Sequence, residues 1–120
     1  MLDLYSIETF ALVGIGGAFG ALARYAVIRS VPSQNFPVGT FIVNVIGSFI
    51  LGAFTFSNSS SGILLIVGVG ICGSFTTFST FSLDTVRLIE ENNLLYAAIN
   101  SIGTLTASLF AILLAWIVFL

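Results

Sequence analysis

Hydroxyl side chains are concentrated in the stretch Ser74–Ser82, which reads SFTTFSTFS. Six of its nine residues are serine or threonine, and phenylalanine recurs at every third position. On a helix, this spacing would project the rings from one side of a turn and the hydroxyls from the rest. Neutral donors of this kind can replace the hydration shell of an ion and still release the ion. The stretch therefore predicts an ion pathway, and the residues expected to line it are Phe78, Ser79, Thr80 and Phe81.

Polar residues on two other apolar segments extend this set of donors. Asn44 carries the one amide side chain of its segment, and this amide would either bond to a neighbouring helix or face an anion. Asn100, Thr104 and Ser108 recur at every fourth position, which predicts one stripe along a helix face. Each hydroxyl taken singly could instead bond back to its own helix. The stripe as a unit favours a continuous track of donors.

The edges of phenylalanine rings suit an anion. A ring edge carries the positive end of the aromatic quadrupole, so Phe78 and Phe81 can meet an anion edge-on inside lipid. A small, strongly hydrated anion gains most from a dense track of such contacts, whereas a large halide could cross a cruder pore. The sequence therefore favours a small anion as the transported species.

Several kinds of chemistry are excluded by what the chain lacks. It contains no histidine and no lysine, and its five acids form no pair inside an apolar segment. A general base or an activated nucleophile is therefore missing, which argues against an enzyme. Proton-coupled transport usually needs a carboxylate within the membrane, and only Glu8 lies near the start of a segment. The single cysteine, Cys72, and the absence of a basic tract argue against a side-chain metal site and against nucleic-acid binding.

The composition places all these residues in a membrane. Of the 120 residues 58% are hydrophobic and 7% are charged, and the mean hydropathy is +1.16. A soluble core of this size could not hide so much apolar surface, so an all-α integral membrane protein is predicted. We expect one transmembrane domain, residues 1–120, surrounded by membrane lipid. The predicted spans are about 7–30, 38–56, 62–83 and 94–120.

The third predicted span contains a break. Gly70 and Gly73 precede the hydroxyl run and Thr76 lies within it, and these residue types weaken a helix. Residues 73–76 would lie about 17–21 Å along a helix that starts near Gly62, which is close to the bilayer midplane. Broken backbone at this depth survives only where protein or a water-filled cavity covers it. A broken helix here therefore indicates a buried functional site.

Arginines are few. Arg24 follows a small-residue face that includes Gly16 and Gly20, where an arginine either reaches the headgroups or serves an anion's entrance. With Arg29 and Arg87 it makes up the whole basic complement of the chain. Orientation in a membrane follows the imbalance of basic residues between loops, so this chain is predicted to insert both ways, with a modest bias.

Three motifs in the first three spans resemble a known family. They are GGAFGALARY at Gly16–Tyr25, GTFIVNVIGSFILG at Gly39–Gly52 and GICGSFTTFSTFS at Gly70–Ser82. With four spans in 120 residues, they resemble the Fluc (CrcB) family of bacterial fluoride channels. The resemblance implies fluoride export across the cytoplasmic (inner) membrane to relieve fluoride toxicity. It also implies a dual-topology homodimer of antiparallel subunits, with two fluoride pores lined by both.

Roles for single residues follow from the same resemblance. Phe78 and Phe81 match the family's pore phenylalanines, Asn44 matches its pore asparagine and Arg24 its vestibule arginine. A structural Na⁺ at the dimer centre would be held by backbone carbonyls, which match Gly73 and Thr76 here. Many members have a tyrosine at the head of the polar track on the fourth helix, where this chain has Asn100. Some small members pair two different, oppositely oriented subunits, so the partner would be either a second copy or a paralogous subunit.

Two other function classes remain open from the sequence. A small multidrug-type cation exporter would rest on Glu8 alone, and it would be expected to need a carboxylate in mid-span. A non-transporting membrane assembly protein would show no flux of any ion. Flux measurements in liposomes separate both alternatives from a fluoride channel.

Overall fold

Four long helical stretches make up the protein. The computed structural model describes Asp3, residues 5–32 and residues 35–120. Four stretches are long and apolar enough to cross a membrane, and we number them as spans 1 to 4: Ile7–Ser30, Val38–Phe56, Ser61–Glu90 and Leu94–Phe119. The predicted all-α membrane class is therefore confirmed. Of the predicted domain 1–120, residues 1, 2, 4, 33 and 34 lie outside the described residues.

Spans 1 and 2 are continuous helices, α1 (Ile7–Ser30) and α2 (Val38–Phe56). The Ser6 hydroxyl caps α1 by accepting a hydrogen bond from the Thr9 backbone N–H at 3.1 Å. Both helices have the bounds expected from the sequence. Their apolar length of 24 and 19 residues is sufficient to cross a bilayer core.

Span 3 changes its backbone conformation several times. A short helix, α3 (Ser61–Ile63), leads into a π-helical segment, π1 (Leu64–Cys72), and then into a short α4 (Gly73–Phe75). Thr76 and Thr77 have extended backbones, with ψ of 159° and 122°. A new helix, α5 (Phe78–Glu90), then begins with Thr77 as its N-cap, and it continues beyond the predicted end at Leu83.

Span 4 contains a second π-helical segment. It runs through α6 (Leu94–Ala98), π2 (Ile99–Gly103) and α7 (Thr104–Phe119). A π turn takes up more residues than an α turn, so it changes the direction in which the following side chains point. The residues after π2 therefore do not continue the face of those before it.

The spans pack in alternate pairs. Span 1 lies mainly against π1 and α4, span 2 lies mainly against α7, and α5 lies against α6 and π2. Glycines let span 1 approach span 3 closely: a Cβ on Gly16 would lie 2.9 Å from the Ile66 carbonyl oxygen, and one on Gly70 would lie 2.9 Å from that of Val13. At Gly20 a Cβ would overlap the Ile71 carbonyl. The small-residue face of the first span is thus a packing surface between two backbones.

Large apolar side chains cover the outside of the molecule. Exposed residues occur on every span, among them Phe19, Leu22, Ile46, Val86 and Phe110. Exposed apolar surface on this scale is stable only in contact with lipid or with another chain. Because the outside is largely apolar, the polar side chains that could serve a function lie mainly between the spans.

Candidate functional site

A reciprocal pair of hydrogen bonds connects span 2 to the extended residues of span 3. The Thr77 backbone N–H donates to Asn44 Oδ1 at 2.8 Å, and Asn44 Nδ2 donates to the Thr77 carbonyl at 3.1 Å. Thr77 is 6% exposed, so both of its backbone groups need such partners. The interhelical interpretation of Asn44 is therefore what the structure shows. Its amide nitrogen carries a second N–H, which remains available for another contact.

The extended residues Thr76 and Thr77 are the interruption of span 3. This interruption also changes the hydrogen bonding of two carbonyl groups. In a continuous helix the Thr77 N–H would donate to the Gly73 carbonyl, but here it donates to Asn44, so Gly73 loses its helical donor. Arg24 is half-buried, and its Nη1 lies 3.5 Å from the Thr76 carbonyl oxygen. The arginine thus reaches the interruption itself. Close approach of span 2 is possible because residue 47 is glycine, where a Cβ would overlap Thr76 Cγ2.

A cavity of about 600 Å³ opens beside the interruption, between spans 2, 3 and 4. It brings together most of the residues expected from the sequence. Those on its wall are Asn44, Gly73, Thr76, Phe78, Phe81, Thr104 and Ser108. No charged residue lies among the residues that line it. The cavity is therefore a neutral, partly apolar space with a few polar groups.

Most hydroxyls on this wall already use their proton. Ser48 donates to the Asn44 carbonyl at 2.7 Å, and Ser101 donates to the Ala97 carbonyl at 2.8 Å. Thr76 donates to the Cys72 carbonyl, and Thr104 donates to Asn100 Oδ1 at 3.4 Å. Thr77 shares a hydrogen bond with Ser79.

Ser108 differs from these neighbours. Within the described part of the chain its hydroxyl has no hydrogen-bond partner, and the side chain is half-buried on the cavity wall. No fully buried side-chain oxygen in the described residues lacks a partner, so the Ser108 oxygen is accessible. Ser108 therefore has a proton free to donate to whatever enters the cavity.

Phe78 and Phe81 form an aromatic pair on the wall of this cavity. Their ring centroids lie 5.9 Å apart with the planes inclined by 40°. Phe81 is half-buried, whereas Phe78 is 79% exposed on the single chain. The cavity therefore borders a surface with exposed apolar side chains, which lipid or a second chain would have to cover.

Three expected pathway residues lie away from this cavity. Asn100 is 0% exposed and bonds to Thr85 and Thr104. Ser79 is exposed, and its hydroxyl lies 3.3 Å from that of Thr77. Thr80 borders a separate cavity of about 330 Å³, which the charged residues Asp84, Arg87 and Glu91 also line. The predicted stripe on span 4 is therefore divided, with Asn100 behind the wall and Thr104 and Ser108 on it.

Sequence reasoning missed several residues of these cavities. Ser48 and Ser101 line the large cavity, and each had a signal: one lies a turn beyond Asn44 and the other adjoins Asn100. Thr40 lies on the smaller cavity and donates to Asp84 Oδ2 at 3.0 Å. Asp84, near the end of span 3, is therefore half-buried against span 2. Among the described residues, no group of three or more His, Cys, Asp or Glu could hold a metal ion.

Comparison with known proteins gives one family match. Residues 11–116 match the family described as "CrcB-like protein, Camphor Resistance (CrcB)". This range includes every residue placed on the large cavity. The family match therefore extends over the whole candidate site.

Three similar proteins are named as fluoride-specific ion channels. A protein of Haloarcula marismortui named fluoride-specific ion channel FluC 2 is 48% identical over 113 residues, which cover 94% of this chain and 95% of that protein. A protein of Halobacterium salinarum named FluC 1 is 42% identical, with 88% and 89% covered. A FluC of Methanocaldococcus jannaschii is 41% identical, with 94% and 98% covered. In each comparison the similarity thus extends over nearly the full length of both proteins.

Proposed function

Because the chain belongs to the CrcB family, we propose that it is a fluoride-selective ion channel and not an enzyme. It would let fluoride leave the cell across the cytoplasmic membrane and so relieve fluoride toxicity. One observation carries the proposal: the cavity beside the interrupted span offers neutral donors and phenylalanine rings without any charged lining residue. Neutral donors compensate an anion for lost water and still let it leave.

In this proposal fluoride passes along the wall formed by spans 2, 3 and 4. Asn44 would offer its second N–H, Phe78 and Phe81 their ring edges, and Ser108 its free hydroxyl proton. Ser79 and Thr80 would belong to the approach from the smaller cavity, which Thr80 borders. Arg24 would raise the local potential for an anion near the interruption, where it lies against the Thr76 carbonyl.

A second subunit would complete the pathway. The cavity is far larger than a monatomic anion, and both Gly73 and Phe78 on its wall are exposed on the single chain. We therefore propose a dimer of oppositely oriented subunits, either two copies or a copy with a paralogue. Fusion of topology reporters to the C-terminus should give both cytoplasmic and external signals for the homodimer. A single orientation would require the paralogous partner.

A Na⁺ ion would stabilise this dimer. Its ligands would be the carbonyls of Gly73 and Thr76, and the interruption favours this assignment because the Gly73 carbonyl has lost its helical donor and Gly73 is exposed. Carbonyl oxygens are the ligands that hard cations prefer. Two antiparallel copies would contribute four of them. The Arg24 contact to Thr76 is long, so it leaves that oxygen able to accept another partner.

Removal of Na⁺ is expected to weaken the dimer. Dialysis into buffer with N-methylglucamine in place of Na⁺ and K⁺ should shift purified protein toward monomer in size-exclusion chromatography and lower fluoride flux. Addition of Na⁺ should restore both. Identical assembly and flux with and without the cation would remove the Na⁺ site from the proposal.

Flux into liposomes tests the function itself. Purified protein should pass fluoride and exclude chloride, and flux should survive Glu8→Gln because Glu8 is an exposed residue at the start of span 1. Cation-driven flux that Glu8→Gln abolishes would instead support a multidrug-type exporter. No flux of either kind would support an assembly protein.

Ser108→Ala should reduce fluoride flux about tenfold, which corresponds to about 1.4 kcal/mol at the barrier. The reason is that the Ser108 hydroxyl proton on the wall has no acceptor among the described residues, and alanine removes it with little change of volume. Ser101→Ala is the matched control, because Ser101 lines the same cavity but already donates to Ala97. Its flux should fall by less than about twofold. Equal losses in the two variants would show that hydroxyl availability does not control flux.

A further inference from the structure

A chain of three hydrogen bonds connects span 4 to the backbone of Phe81. The Thr104 hydroxyl donates to Asn100 Oδ1 at 3.4 Å, and Asn100 Nδ2 donates to Thr85 Oγ1 at 2.9 Å. The Thr85 hydroxyl in turn donates to the Phe81 carbonyl at 2.9 Å. Each group donates in the same direction, and hydrogen bonds in such a chain strengthen one another.

Asn100 lies at the centre of this chain and away from the large cavity. It is 0% exposed and is one of the two largest fully buried side chains among the described residues. A buried amide is costly unless it is bonded, and here both its oxygen and its nitrogen have partners. The orientation of the Asn100 side chain is therefore fixed by its hydrogen bonds to Thr85 and Thr104.

Both ends of the chain lie on the cavity wall. Thr104 and Phe81 line it directly, whereas Asn100 and Thr85 lie behind them. The link from Asn100 to Thr85 is the side-chain hydrogen bond between π2 and α5, and α5 is the helix that carries both phenylalanines. Because α5 follows two extended residues, its placement depends on such contacts and not on continuity with α4.

We propose that Asn100 is a positioning residue for fluoride conduction, because its buried amide holds the Thr85 hydroxyl and thereby fixes the turn of α5 that presents Phe81 to the cavity. The inference rests on the proposed channel function. It assigns to Asn100 an action through Thr85 instead of direct contact with the anion. Thr104, which gives its proton to Asn100, then turns its oxygen lone pairs toward the cavity and is a weaker anion donor than Ser108.

Substitutions at Thr85 test this inference. Thr85→Val removes the hydroxyl at nearly constant volume and should lower fluoride flux per folded dimer about tenfold, whereas Thr85→Ser keeps the hydroxyl and should stay within about twofold of the original protein. Thr55→Val is the matched control. Its hydroxyl makes the same bond to the carbonyl four residues earlier, at 2.7 Å to Leu51, but no bond to another span.

A double-mutant cycle separates positioning from direct contact. If Asn100 acts through Thr85, the pair Asn100→Leu with Thr85→Val should conduct about as well as the poorer single variant, because both remove one link. If Asn100 touched fluoride itself, Thr85→Val would behave like Thr55→Val and the inference would fail. Additive losses, or a failure of serine to rescue position 85, would also overturn it.

A spectroscopic measurement keeps the inference testable without flux. With 4-fluorophenylalanine at position 81, the ¹⁹F signal should shift in Thr85→Val and remain unchanged in Thr55→Val. The ¹⁹F measurement does not depend on a folded Asn100→Leu variant. It also does not depend on fluoride conduction: if the original protein conducts no fluoride, the channel proposal fails, but the effect of Thr85 on Phe81 can still be measured. An unchanged signal in Thr85→Val would show that the hydrogen-bond chain does not position Phe81.

Discussion

Replacement of Asn44 by leucine is expected to lower fluoride flux per folded channel at least about a hundredfold, which corresponds to about 2.7 kcal/mol. Leucine has a similar volume but no polar group, so the Thr77 N–H and carbonyl both lose their partner. Each buried, unbonded group costs about 1–3 kcal/mol. The variant should therefore be less stable as well as less conductive, because the same amide bonds to Thr77 and, in the proposed channel, would also offer a donor to the anion.

Asn44→Asp separates these two effects. The carboxylate keeps an acceptor for the Thr77 N–H, but it loses the donor to the Thr77 carbonyl and places negative charge on the wall of a cavity that otherwise has none. Flux should be lost at neutral pH while part of the leucine variant's instability is recovered. Thermal unfolding in detergent and flux in liposomes are the measurements, with Thr55→Val on the same helix as the control. Normal fluoride flux through Asn44→Leu would show that this amide serves packing alone.

Phe81→Leu should lower fluoride flux about tenfold or more while folding and dimerisation persist. Leucine keeps an apolar side chain but has no ring edge, so a partly dehydrated anion loses a favourable electrostatic contact. Loss of about 1.4 kcal/mol at the barrier would give the tenfold change. Phe78→Leu should act in the same direction, because its ring lies 5.9 Å from that of Phe81 and on the same cavity.

Phe49 offers a matched control for the ring. It also lies in an aromatic pair, 6.4 Å from Phe119, but it does not border the large cavity. Phe49→Leu should therefore leave selective fluoride flux within about twofold of the original. If both pore variants conduct fully, the phenylalanines contribute only packing, which tolerates apolar exchange of similar size.

The positions of the spans followed from the sequence because hydrophobicity and the absence of charge decide them. No charged residue occurs between Ser30 and Leu83, and the bounds of spans 1 and 2 agree with the pattern. The sequence also singled out Asn44, Phe78 and Phe81, since an amide in an apolar segment and a regular spacing of phenylalanines can be recognised from the sequence. The reciprocal bonds to Thr77 were not visible, because they join residues 33 positions apart.

The stripe on span 4 shows where the sequence pattern was insufficient. A spacing of four places Asn100, Thr104 and Ser108 on one face only if the helix is α throughout. Asn100 instead lies within the π-helical segment Ile99–Gly103, which ends directly before Thr104, and it is buried away from the cavity that Thr104 and Ser108 line. Similarly, Ser79 and Thr80 separate from the phenylalanines because neighbouring helical residues point in different directions.

The alternate pairing of the spans has a consequence for synthesis. Span 1 lies against span 3 and span 2 against span 4, so neither principal pair consists of neighbours in the chain. As the ribosome delivers the spans one after another, the glycine face of span 1 stays covered by lipid until Ser61–Phe75 has entered the membrane. Span 2 likewise lacks its main partner until Thr104–Phe119 has been made. Pairing of the spans is therefore delayed relative to their insertion, and a chain truncated before Thr104–Phe119 would leave span 2 without its main partner.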